Sequence, residues 1–120
     1  MTEKIVVGLF ETRGIAEDAA HRLMTDGTPA KDIALYVLHD VAPLPAHVEA
    51  GLAALELDPL LLGDVRKTFA PYIHNGETTL FVRTMTEAEI DDAVDTMKQY
   101  APVRIMVTTP DAAAQGPVLG

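Results

Sequence analysis

The sequence predicts an α+β fold in which two strand–helix–strand units share one antiparallel sheet. Three observations predict it. Short β-branched runs alternate with segments whose apolar residues recur at helical spacing. The two halves of the chain repeat that scheme. Threonine, glycine and proline stand where such elements must start and stop. The chain has 120 residues, enough for one domain, and 48% hydrophobic residues, enough for a core without disulfides or metal.

The first strand is Ile5-Val6-Val7-Gly8-Leu9-Phe10, with Thr12 behind it as a helix N-cap. Apolar residues then fall in two adjacent helical rows: Ile15, Ala19 and Leu23, and Ala16, Ala20 and Met24. Asp26-Gly27 and Pro29 stop this helix, with Gly27 suited to the left-handed C′ position. Ile33 to Leu38 is the second strand. In the second half, Asn75-Gly76 marks a turn and Thr79 to Arg83 a third strand. Thr86-Glu87-Ala88-Glu89 is a capping box, with Ile90, Val94, Met97 and Ala101 as the buried row behind it. Pro102 ends that helix, and Val103 to Thr108 is the fourth strand.

The connection from His39 to Glu77 is too long for a structureless loop in a compact domain. Residues 39–77 are therefore expected to be a helical insertion. Pro45 starts one helix, with Val48, Leu52 and Leu55 in a row. Asp58-Pro59 is the N-cap and N1 pair of another, with Leu61, Val65 and Phe69 behind it. Residues 110–120, rich in small residues and with two prolines, read as a flexible C-terminal tail after a single domain over 1–109.

The halves align as a weak internal repeat. Asp18-Ala19-Ala20 with Leu23 matches Asp92-Ala93-Val94 with Met97, and Leu9-Phe10 falls close to Leu80-Phe81. Two such units make a ferredoxin-like βαββαβ fold, with sheet order 4-1-3-2 and both helices on one face. The other face should then alternate toward polar residues. It does not. Val6, Phe10, Tyr36, Leu38, Phe81 and Met106, if they share that face, make an apolar patch on the order of several hundred Å². Either the insertion folds over it or a second copy packs there. The expectation is a homo-oligomer, a twofold dimer first.

Composition narrows the function classes. Cysteine and serine are both absent, which removes thiolate metal sites, cysteine nucleophiles and a Ser–His–Asp triad. The net charge of −9 and five scattered arginines make nucleic acid a poor partner. No stretch approaches the about 18 apolar residues of a membrane span, and the expected setting is cytoplasmic, with no membrane partner.

The segments Gly8-Leu-Phe-Glu-Thr-Arg, Ala16-Glu-Asp-Ala-Ala and Thr25-Asp-Gly-Thr-Pro-Ala-Lys-Asp-Ile33 resemble the opening of the general stress protein 17M-type (heat-induced stress protein) domains. Gly76-Glu-Thr-Thr-Leu-Phe-Val-Arg resembles their third strand. The resemblance covers residues 5–38 and 74–108. The middle departs from it: Leu-rich helical segments replace a glycine- and alanine-rich insert. It implies a small stress-associated protein with no established catalytic set, so no active site carries over.

Candidate chemistry gathers at one edge, where strands one and two end and strands three and four begin. Glu11, His39, Asp40, His74, Glu77 and Tyr100 fall there. Imidazole and carboxylate could hold a small ligand or divalent ion, or act as acid and base. His47 joins them only if the first insertion helix folds back. The bland alternative is that these are polar loop residues, and no HxH, HxxxH or HExxH spacing speaks against it. Arg13, beside Thr12 and Gly14 at the first helix start, is a candidate anion ligand. Arg83 and Arg104 read either as ligands of an acidic molecule or as arginines paired with acids at an interface rim. Asp91, Asp92 and Asp95 read as the solvated face of the second helix.

Three functions stay open at this point. The first is a non-enzymatic oligomeric module, stress-associated or regulatory, acting through contacts with a protein partner or its own copies. The second is a small-ligand or metal-binding domain using the strand-end cluster. The third is a small dimeric ferredoxin-like enzyme. No cofactor is expected.

Overall fold

The computed structural model describes residues 3–37, 46–47, 55, 57, 59–73 and 77–109. It is an α+β domain. The elements in chain order are β1 (Lys4–Phe10), α1 (Arg13–Thr25), β2 (Ile33–Val37), β3 (Ala46–His47), α2 (Pro59–Phe69), β4 (Thr78–Thr84), α3 (Glu87–Lys98) and β5 (Arg104–Thr108). Single turns of 3-10 helix precede β2 (Ala30–Asp32) and follow α2 (Ala70–Tyr72). The strands form one antiparallel sheet in the order β3-β2-β4-β1-β5, to which β3 adds two residues. The third and fourth strands expected from sequence are β4 and β5. The Asn75-Gly76 turn and the 110–120 tail lie outside the described residues.

The helix ends follow their caps. Thr12 Oγ1 accepts the Ile15 N–H at 3.2 Å and opens α1. At the other end the Thr28 N–H reaches the Leu23 carbonyl and the Gly27 N–H reaches the Met24 carbonyl. This is a Schellman closure, and Gly27 sits at φ +114°, a conformation that side chains strain to adopt. In α3, Thr86 Oγ1 accepts the Glu89 N–H at 3.1 Å. The Glu89 carboxylate reaches back to the Met85 N–H at 2.7 Å, one residue before the cap itself. Glu87 and Glu89 in the first turn and Lys98 in the last also suit the helix dipole. Met97 is buried as expected. Ala101 is not: α3 stops at Lys98, and Ala101 lies past it, exposed, at φ +53°.

On both faces of the sheet the chain's own helices cover β1, β2 and β4. On one face α1 and α3 pack on Val6, Phe10, Ile33, Leu35, Leu80 and Val82. The alanines of α1 (Ala16, Ala19, Ala20) let that helix approach closely, and Met97 fills the space over Gly8. On the other face Leu61, Leu62, Val65 and Phe69 of α2, with Leu55 and Ile73, pack on Ile5, Val7, Leu9, Ala34 and Phe81. Tyr36, Tyr72 and Met106 border this second cluster, and Tyr36 meets the Phe81 ring edge-on at 5.6 Å.

This corrects the expected second face. Tyr36, Phe81 and Met106 do share it. Val6 and Phe10 point the other way, into the α1/α3 core, and Ile5, Val7 and Leu9 take their place. The register gives the reason: Val7, not Val6, stands opposite both Phe81 and Met106. Leu38 lies outside the described residues. The face is also not left open for a second copy, because α2 fills it. The segment after β2 also differs from the expected helix where it is described. Ala46–His47 pairs with Tyr36 and Val37 as a strand rather than opening a helix after Pro45. The helix α2 starts at Pro59, as Asp58-Pro59 predicts.

Candidate functional site

The sheet register builds the strand-end edge. Phe10 and Val37 both stand opposite Thr78, so Glu11 and Glu77 flank the same end of the sheet. Glu11 is exposed and Glu77 is buried. Tyr100 packs half-buried against the α1/α3 core. His39, Asp40 and His74 lie outside the described residues, as does the His47 side chain. Among the described residues no three His, Asp or Glu groups converge in a way that could hold a metal ion.

Each arginine is engaged within the chain. Arg13 reaches along its own helix to Glu17, at 3.5 Å, rather than over the helix start. Arg83 projects from β4 and donates through Nε and Nη2 to Asp32 Oδ1, at 2.9 and 2.6 Å. Both partners are partly buried, with side chains 34% and 21% exposed, so the pair ties β4 to the turn leading into β2. Arg104 lies over the Tyr72 ring, 4.7 Å from its centre, and donates to the Tyr72 hydroxyl at 2.5 Å. Arg83 is thus paired with an acid, as one of its two sequence readings has it, though within the chain, while Arg104 rests on an aromatic ring.

A cleft of about 220 Å³ opens between the end of α1 with the turn after it, the start of α3 and the C-terminal end of β4. Asp26, Asp32, Arg83, Glu89 and Asp92 line it. Sequence reasoning missed it because its residues come from three separate segments and form no motif. Three of its four carboxylates already have partners: Asp26 with Arg22, Asp32 with Arg83, Glu89 with the Met85 amide. Arginines thus offset two of the four carboxylate charges, those of Asp26 and Asp32.

What the helices leave uncovered is β5. It is the outer strand of the sheet, paired with β1 alone among the described residues. Three large apolar residues are exposed among those described: Met85 at 45%, Val107 at 43% and Val103 at 36%. Two of the three belong to β5 or the residue leading into it. Arg104 is exposed, and Ile105 and Met106 are half-buried on opposite faces. Such an edge carries unpaired backbone donors and acceptors flanked by apolar side chains.

The arrangement defines an α+β domain with a sheet filled on both faces and an apolar outer strand. Compared with protein families, with curated proteins and with solved structures, the chain shows no match. Among the described residues no helix is long and apolar enough to cross a membrane.

Proposed function

We propose that this chain is a small, non-enzymatic, stress-associated or regulatory module that works by associating with its own copies and with other proteins. The observation that carries the reading is the placement of exposed apolar surface. The chain's own helices cover the sheet over β1, β2 and β4, while Val107 on the outer strand and Val103 just before it stand open. Surface of that kind serves contact with another chain better than it serves a small molecule. The strand order β2-β4-β1-β5, with α1 and α3 on one face, supports classing the fold as ferredoxin-like βαββαβ, with α2 as a helical insertion between its second and third strands. The stress association rests on the resemblance of residues 5–38 and 74–108 to the stress-protein domains.

Sedimentation velocity across the micromolar range tests the assembly. A weight-average mass that rises with concentration is expected, and a monomer throughout removes the reading. Protein abundance in the source cell before and after heat challenge tests the stress association, and unchanged abundance removes that part alone.

A further inference from the structure

We propose that β5 is a self-pairing edge: two copies join β5 to β5, antiparallel, about a twofold axis at Met106, so that the sheet runs continuously through a dimer. The inference rests on the assembly reading above and names its surface and partner.

Natural sheets guard their outer strands with lysine, proline, inward charges or bulges. Arg104-Ile105-Met106-Val107-Thr108 has none of these within it. Its one charge, Arg104, is folded onto Tyr72 on the α2 face. The segment is instead bounded. Pro102 and Pro110 each stand four residues from Met106, one on either side. Proline cannot donate to a ladder, so pairing is confined between them. A register centred on Met106 is the one in which both boundaries coincide for both copies.

That register is also self-complementary. Ile105 of each copy stands opposite the partner's Val107, on the α1/α3 face. Met106 meets the partner's Met106 on the α2 face. Arg104 stands opposite the partner's Thr108. No like charges are opposed, whereas a twofold at residue 104 would set Arg104 against itself. The exposed side of Val107 is thus given an apolar partner. A strand pair this short buries less than the about 1,200 Å² at which stable interfaces begin, so affinity in the micromolar range is expected. Each copy carries −9, so added salt should tighten the dimer by screening their repulsion. A basic peptide docked on the same edge would loosen instead.

The chain has no cysteine, so one introduced cysteine reports cleanly. Residues opposed across antiparallel strands lie about 4.5–5.5 Å apart between Cα atoms, within the range a disulfide spans. Met106→Cys is expected to give a covalent dimer on mild oxidation, while Met85→Cys, exposed elsewhere, is not. Val107→Lys should weaken the dimer about tenfold or more by placing ammonium groups along the edge. Circular dichroism checks that this exposed substitution leaves the fold intact. A wild-type dimer that resists Val107→Lys and does not cross-link through Met106→Cys overturns the edge but leaves the assembly reading standing. If Val107→Lys fails to fold, the cross-link alone decides. A wild-type chain that stays monomeric at all concentrations and salts overturns both.

Discussion

Phe69→Ala tests whether α2 belongs to the core or merely rests on it. Phe69 is 2% exposed, in the last turn of α2, within the cluster that holds Ile5, Val7, Leu9 and Phe81. Truncating a buried phenylalanine removes its transfer free energy and leaves a cavity, at a cost of about 3–5 kcal/mol. A domain of this size has a total stability of about 5–15 kcal/mol. The variant should therefore lose a large part of its stability, and its melting midpoint should fall by roughly 10–25 °C. Urea unfolding followed by far-UV circular dichroism measures the change, and the slope with denaturant reports whether the native state stays compact. The expected curve is a single transition, shifted to lower urea, with an unchanged slope. A loss under about 1 kcal/mol would mean that α2 does not bury Phe69 against the sheet in solution. It would also return the Ile5, Val7 and Leu9 face to the surface as the stronger candidate for contact with a second copy.

Gly8→Ala puts a methyl 2.7 Å from Met97 Sδ and 3.0 Å from Phe10 Cε2, and should cost about 1–3 kcal/mol in chemical unfolding. Met97→Ala on the same chain should make that methyl less costly, giving a favourable coupling in the double-mutant cycle. Ala101→Gly should raise stability by about 0.5–1 kcal/mol, because relief of the φ +53° strain outweighs the extra chain entropy of glycine; a loss would show that the strain is not there. The Arg83–Asp32 pair should show a coupling of about 0.5–1.5 kcal/mol in a cycle of alanine variants, smaller in high salt because both partners keep some exposure.

Much of the fold was legible locally. Thr12, Gly27 and Thr86 each sit at the helix end their chemistry favours. Period-two alternation sorted the residues of each strand into two sets correctly, but it cannot say which set of one strand shares a face with which set of the next. That link is made by register alone. The internal repeat sets Leu9-Phe10 beside Leu80-Phe81, yet Phe10 points to the α1/α3 core and Phe81 to the α2 core. One residue of offset in one strand was enough to exchange Val6 and Phe10 for Ile5, Val7 and Leu9. Ala101 failed for a related reason. It continues the helical row, but the helix ends before reaching it. The Arg83–Asp32 pair joins residues far apart in sequence, and the stacking of Arg104 on Tyr72 depends on where the turn after α2 lands; neither carries a local signal.

The position of the open edge follows from the dimensions of the elements. A helix of 11 residues such as α2 is about 16 Å long and about 10 Å across. Five strands spaced by about 4.8 Å span roughly 19 Å between their outer axes. One helix cannot shield that width. Its cluster fully buries residues of β1, β2 and β4, leaves Met106 of β5 half-covered, and leaves Arg104 exposed. The turn behind α2 extends the cover by one residue, with Tyr72 beneath Arg104. On the opposite face two helices bury Val6, Phe10, Leu35 and Leu80 completely, yet Ile105 is only partly covered and Val107 is 43% exposed. Cover runs out at the same strand on both faces, although different helices supply it. A strand added beside β5 would therefore gain apolar burial on both faces at once, next to Met106 on one and next to Ile105 and Val107 on the other. A partner docked on either helical layer would gain burial on only one, which makes the edge, rather than a face, the place where this fold gains most from a second chain.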